Sequence, residues 1–149
     1  MKTLFDKNTL EEILNRIDKL TPETKAVWGK MNSAQMIAHC AATVEVASGK
    51  KKHPRSLLGK ILGPFFKRAY LGEKPFSKNI PTDPNFIMNN EKNFESEKLN
   101  LIKLVKQFSE GGEAMATNHP HSFFGHLTPK QWGETQYKHF DHHLSQFNV

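Results

Sequence analysis

An all-α fold is what this sequence predicts, and two observations predict it. Four segments each pair a helix-starting residue with apolar residues at three- and four-residue spacing. No segment alternates apolar and polar residues with the period of two that a half-buried strand requires. The length, 149 residues, suits one domain spanning 1–149, and a chain of this size buries roughly 68–70% of its unfolded surface without needing staples. The expected architecture is a four-helix bundle with a long crossover and an extra amphipathic helical insert.

The first helix is expected over residues 8–20. Asn8 caps it, Glu11 stands at the third helical position, and Leu10, Ile13, Leu14 and Ile17 form its stripe. Thr21-Pro22-Glu23-Thr24 is a further start signal that opens only a short turn before Trp28-Gly29. Asn32 caps a second helix over 32–48, stopped by Gly49. Its apolar residues, from Ala34 to Ala47, lie nearly all round the cylinder, which marks a buried helix.

After a basic loop closed by His53-Pro54, residues 56–71 set Leu57, Leu58, Ile61, Leu62, Phe65 and Phe66 against Lys60, Lys67 and Arg68. This reads as a solvated, amphipathic surface helix that Pro64 breaks or kinks. Residues 72–90 hold three prolines and little periodicity, so they form the crossover, with Phe76, Ile80, Phe86, Ile87 and Met88 pinning it to the body. The third long helix is expected over 90–110, with Phe94, Leu101, Val105 and Phe108 as its stripe. After a His- and Phe-rich loop, Thr128-Pro129-Lys130-Gln131 opens the last helix, 129–147, with a cap, a proline at the first position and a glutamine that closes a capping box.

Composition narrows the function classes. The formal net charge is +6, but residues 51–75 hold seven Lys/Arg against Glu73 alone, while the flanking regions nearly balance. The excess is one segment rather than a fold-wide basic face, and no nucleic-acid-binding motif accompanies it, so no nucleic-acid partner is expected. Cys40 is the one cysteine, which excludes an intrachain disulfide and a cysteine-based zinc site. No apolar run is long enough for a membrane span, and Met1-Lys2-Thr3-Leu4-Phe5-Asp6 has no apolar leader, so a cytoplasmic location is expected.

The chemistry-bearing residues are eight histidines. His139 and His143 stand i, i+4 on the last helix, so both rings point one way, and such a pair can give one metal ion two nitrogens at ~2.0–2.1 Å. Gln136 extends their stripe. His142, a ~100° turn aside, is expected on the polar outer face near Lys138 and Ser145. His39 lies in the buried second helix and needs a partner there: an ordinary hydrogen bond, or a metal shared with the other two. Cys40 faces away from His39 and reads as a small buried hydrophobe. The loop histidines His119, His121 and His126 stand just before the last helix and are candidates for the site mouth.

Two stretches resemble the DinB/YfiT-like superfamily of metal-dependent enzymes. Trp28-Gly29-Lys30-Met31-Asn32-Ser33-Ala34-Gln35-Met36-Ile37-Ala38-His39 is similar to that family's opening of its second helix, with a histidine late in the run. His139-Phe140-Asp141-His142-His143-Leu144-Ser145-Gln146 is similar to its last-helix H-x-x-H-H-x-x-Q pattern, and the loop from His121 to Pro129 with Trp132-Gly133 looks like an uncharacterised domain-of-unknown-function branch. The resemblance implies a four-helix bundle holding one divalent metal on His39, His139 and His143. Gln35, Gln136 and His121 are then candidates for the pocket rim.

Three neutral imidazoles leave a coordination position open, the arrangement of a catalytic site. The ion, zinc, nickel or iron(II), would activate a water or a small thiol. The expected activity is then that of a metal-dependent transferase or hydrolase on a small-molecule substrate, a low-molecular-weight thiol being one candidate and a thiol S-transferase the matching enzyme. Two alternatives stand beside it: a non-catalytic, metal-binding or structural bundle, and a peripheral module that uses the basic insert 50–75 on an anionic surface. A homodimer is compatible with either.

Overall fold

The computed structural model describes residues 1–149. It is all-helical, with five α-helices and no strand: α1 Lys7–Asp18, α2 Ser33–Ala47, α3 Leu57–Leu71, α4 Phe94–Glu110 and α5 Pro129–Gln146, with 3-10 turns at Pro84–Phe86 and Gly112–Met115. The one β-type pairing is an isolated bridge between His121 and Gly125. No helix is long and apolar enough to cross a membrane.

The caps explain the boundaries. Asn32 and Gln35 form a reciprocal capping box at α2, and Thr128 and Gln131 form one at α5, with Pro129 in the first turn. The cap of α1 is Asp6 rather than the expected Asn8: its carboxylate accepts the Thr9 backbone N–H at 2.9 Å and sits where the helix dipole favours negative charge. Likewise α4 starts at Phe94 rather than near residue 90, because Asn93 accepts the Ser96 N–H.

The core is one cluster of 24 buried apolar residues drawn from the N-terminal segment, α1, α2, α4, α5 and the loops between them. Helix α2 packs most extensively on α4 and also on α5, and α1 packs on α4 and α5. The all-round apolar character of α2 is matched by burial on nearly every side, from Ser33 to Ala47.

Helix α3 lies outside that arrangement, against α5 and the 121–125 loop. Pro64 does not end it: the helix runs on for seven residues. The residue before the proline is Gly63, which has no Cβ to clash with the proline ring. Gly59 and Gly63 form the buried side of α3, pressed on the backbone of Phe123; a Cβ on Gly59 would stand 2.5 Å from the Phe123 Cα. At its end, Lys138 of α5 donates to the carbonyls of Ala69, Tyr70 and Gly72 at 3.3, 3.0 and 2.7 Å, satisfying acceptors a helix C-terminus leaves open. Lys138, expected on the outer face, is therefore buried.

The crossover is held by fewer residues than expected. Phe86 is buried and Phe76 and Met88 are half-buried, but Ile80 and Ile87 are exposed and pin nothing.

Candidate metal centre

Helix α2 presents His39 to the interior, and the neighbouring α5 presents His139 and His143 one turn apart. The three rings meet. Their centroids are 4.9 Å apart for His39–His139, 4.7 Å for His39–His143 and 4.6 Å for His139–His143. One ligand nitrogen from each lies within 4.8 Å of the others. The Nε2 atoms of His39 and His139 are 3.0 Å apart; two nitrogens on one tetrahedral zinc, each at ~2.0–2.1 Å, are separated by ~3.3 Å. His39 and His143 are buried and His139 is half-buried.

The outer nitrogens decide how the inner ones are protonated. His39 Nδ1 donates to the Phe86 carbonyl at 2.9 Å, so its Nε2 carries a lone pair. His143 Nδ1 donates to Gln146 Oε1 at 2.8 Å, while the Gln146 amide donates to the Trp28 carbonyl at 2.6 Å, which fixes that side chain's orientation. His143 Nε2 is therefore also a free acceptor. His139 Nδ1 lies 3.5 Å from Thr43 Oγ1, whose hydroxyl is within reach of the Cys40 carbonyl and Gln136 Oε1. With His39 Nε2 unprotonated, the 3.0 Å contact requires His139 Nε2–H to donate to it. A metal ion would take the place of that proton.

Electrostatics keep the cluster neutral. Burial drives His143 down to about 3 and lowers His39. Burial also holds His139 well below the usual histidine range, and the neighbouring His143 and His39 rings add to it. Neutral imidazole is the form that ligates metal.

His121 lies between Tyr70, Phe124 and Trp132, with its Nδ1 accepting the backbone N–H groups of Phe123 and Phe124, and burial pushes its pKa to about 4. That ring orders the 121–125 loop. Gln136 joins the Thr43 hydroxyl beside His139. Gln35 spends its side chain on the α2 capping box and reaches the Asn90 carbonyl. His119 bonds the Pro120 carbonyl and His126 is exposed. Cys40 is fully buried, and burial raises its thiol far above the usual range, so it is an inert core side chain.

His142 departs from the sequence expectation. It does diverge from the other two α5 histidines, but it is half-buried rather than solvated. The crossover and the Trp28 segment cover that side of α5, so the ring sits 6.0 Å from both Trp28 and Phe76 and 5.0 Å from His143. Burial lowers its pKa. Two groups that sequence reasoning missed are the Phe86 carbonyl and Gln146. The second was legible, since it stands three residues after His143 on the same face; the first depends on where the crossover folds.

Comparison with known proteins gives a family and little else. No curated protein and no solved structure is matched. A family model described as "Protein of unknown function (DUF1569)" matches residues 2–149. Every residue of the histidine centre falls within that match, and the chain belongs to the DUF1569 family.

Proposed function

We propose that this chain is a divalent-metal-binding protein of the DinB-like type, with His39, His139 and His143 as the ligands. The single observation that carries the reading is the convergence of three neutral imidazoles, two with Nδ1 already committed to an acceptor and Nε2 turned inward. The set fits zinc, nickel or iron(II), which accept imidazole nitrogen. A divalent ion held there would supply a Lewis acid with an open position, able to lower the pKa of a water or a small thiol.

The chain's own residues do the rest. The Phe86 carbonyl and Gln146 hold two rings in the ligating tautomer. The Thr43 hydroxyl stands where it can accept from His139 Nδ1 once Nε2 ligates. Phe86, buried and edge-on to His39 at 6.2 Å, limits bulk water around that ring. The candidate activity is transfer to, or hydrolysis of, a small-molecule substrate, a low-molecular-weight thiol being the first to try. The burial of His39 and His143 favours a second reading, an ion held for structure alone.

The test is elemental analysis of tag-free protein after dialysis against zinc, for wild type and His143→Ala. One ion per chain in wild type and none in the variant supports the site. No uptake by either, or equal uptake by both, removes it. Turnover of a thiol with an electrophile by the loaded protein separates the enzyme from the structural reading.

A further inference from the structure

Helix α3 is packed the wrong way round for a helix that serves only the core. The side it turns to the body is made of Gly59 and Gly63, with Tyr70 and Leu71 packed on the core at its end, while Leu57, Leu58, Ile61, Phe65 and Phe66 stand outward. Leu57, Leu58, Ile61, Phe65 and Phe66 are 55–79% exposed. On a helical wheel Leu57, Leu58, Ile61 and Phe65 fall within about 100° of one another, on the side opposite the two glycines. Those four side chains, more than half uncovered, leave roughly 500 Å² of apolar surface on one face of the helix. That reaches the upper range for the largest patch on a monomeric protein, roughly 300–600 Å², a size that signals a binding surface.

Charge identifies the occupant. The chain's net excess of cations lies in this helix and its flanks. Lys52, Lys60, Arg68 and Lys74 are exposed and none enters an ion pair. The lone acid of the segment, Glu73, faces the N-terminal amine at 3.5 Å. Lys60 flanks the apolar face and Arg68 closes its C-terminal end, where long basic stems can lie along apolar surface and keep their charge in a polar layer. A second copy docked α3 to α3 would bring these cations together. A nucleic acid would match the charge but leave the leucines and phenylalanines without a partner. An anionic lipid surface satisfies both.

We propose that α3 is an interfacial anchor: its Leu57–Phe65 face enters the headgroup boundary of an anionic bilayer while Lys52, Lys60, Arg68 and Lys74 meet the lipid phosphates. The glycine seam against Phe123 and the Lys138 bonds to the helix end fix α3 to the body without using its apolar face. The helix is therefore docked in advance and need not unfold from the core to bind. The metal centre plays no part in this proposal.

The experiment is vesicle co-sedimentation of the full chain at low salt, with phosphatidylcholine vesicles and with vesicles containing about one third phosphatidylglycerol. Wild type is expected to sediment with the anionic vesicles only. Ile61→Ser/Phe65→Ser should weaken partitioning at least about tenfold, since buried apolar area sets the strength of an interfacial helix. Lys60→Glu/Arg68→Glu should weaken it about 30-fold or more, from the worth of two basic residues at an anionic surface. Both pairs are exposed, and circular dichroism checks that the helices survive. No sedimentation of wild type with anionic vesicles overturns the proposal, as does binding that Ile61→Ser/Phe65→Ser leaves unchanged. Self-association that this variant abolishes, without vesicle binding, assigns the face to a second copy instead.

Discussion

Acid should destabilise the metal-free protein well before its carboxylates titrate. Burial holds His143 at about 3 and His121 at about 4 in the folded chain, against ~6.5 once unfolded. Below pH ~6.5 the unfolded chain takes up protons that the folded chain refuses. The stability these rings contribute is therefore full above that pH, and it is lost as pH falls, until the native rings protonate near their own depressed values. At pH 5 the loss is about 2 kcal/mol for each of the two. His39 and His139, also lowered, act in the same direction. The carboxylates stay out of this window, because the depressed Asp6 and Asp83 begin to cost stability only below ~4. Urea unfolding at pH 7 and pH 5 measures the sum, about 4 kcal/mol or more against a typical total of ~5–15. His143→Leu should shrink the pH 7-to-5 difference by about 2 kcal/mol whatever it does to stability at pH 7. A wild-type stability that is flat or rises from pH 7 to 5 would refute the burial of neutral rings. A pH dependence that His143→Leu leaves intact would refute its assignment to His143.

The remaining predictions concern the site and its supports. His142→Ala should keep zinc affinity within about tenfold, since the ring is outside the converging set, while costing ~1 kcal/mol for its packing against Trp28 and Phe76; competition with a chromophoric chelator reads the first and urea unfolding the second. Gln146→Ala should lower zinc affinity about 10–100-fold, because it frees the His143 ring and orphans the Trp28 carbonyl; the same chelator assay checks it. Gly63→Ala should cost about 1–3 kcal/mol, because the new methyl meets the Phe123 carbonyl oxygen; chemical denaturation measures it, and an unchanged midpoint would mean that α3 is not seated on that loop.

The helices were legible because their signals are local. The capping boxes at Asn32 and Thr128 and the stripe of Phe94, Leu101, Val105 and Phe108 each lie within a few turns of chain, and the structure uses them as written. The meeting of His139 and His143 was legible for the same reason. What escaped was set by distant chain. The helical angle of His142 was read correctly, but angle alone does not say that Phe76 and Trp28 will cover that side of α5. The Phe86 carbonyl reaches His39 across 47 residues, and no spacing announces it. The orientation of α3 has a local sign: Gly59 and Gly63, one turn apart, mark the side on which another backbone comes close.

The bond from His39 to the Phe86 carbonyl has a thermodynamic corollary. The crossover contributes no ligand, yet it holds the proton that keeps His39 in its ligating form. Whatever free energy an ion gains from a seated crossover, the seating gains from the ion, because the two equilibria share one cycle. An ion in the centre would therefore tighten the Phe86 turn against the body, and whatever pulls Phe86 away would loosen the ion by the same factor. An ion held at the histidines and the seat of the longest connection would thus be coupled through one backbone carbonyl.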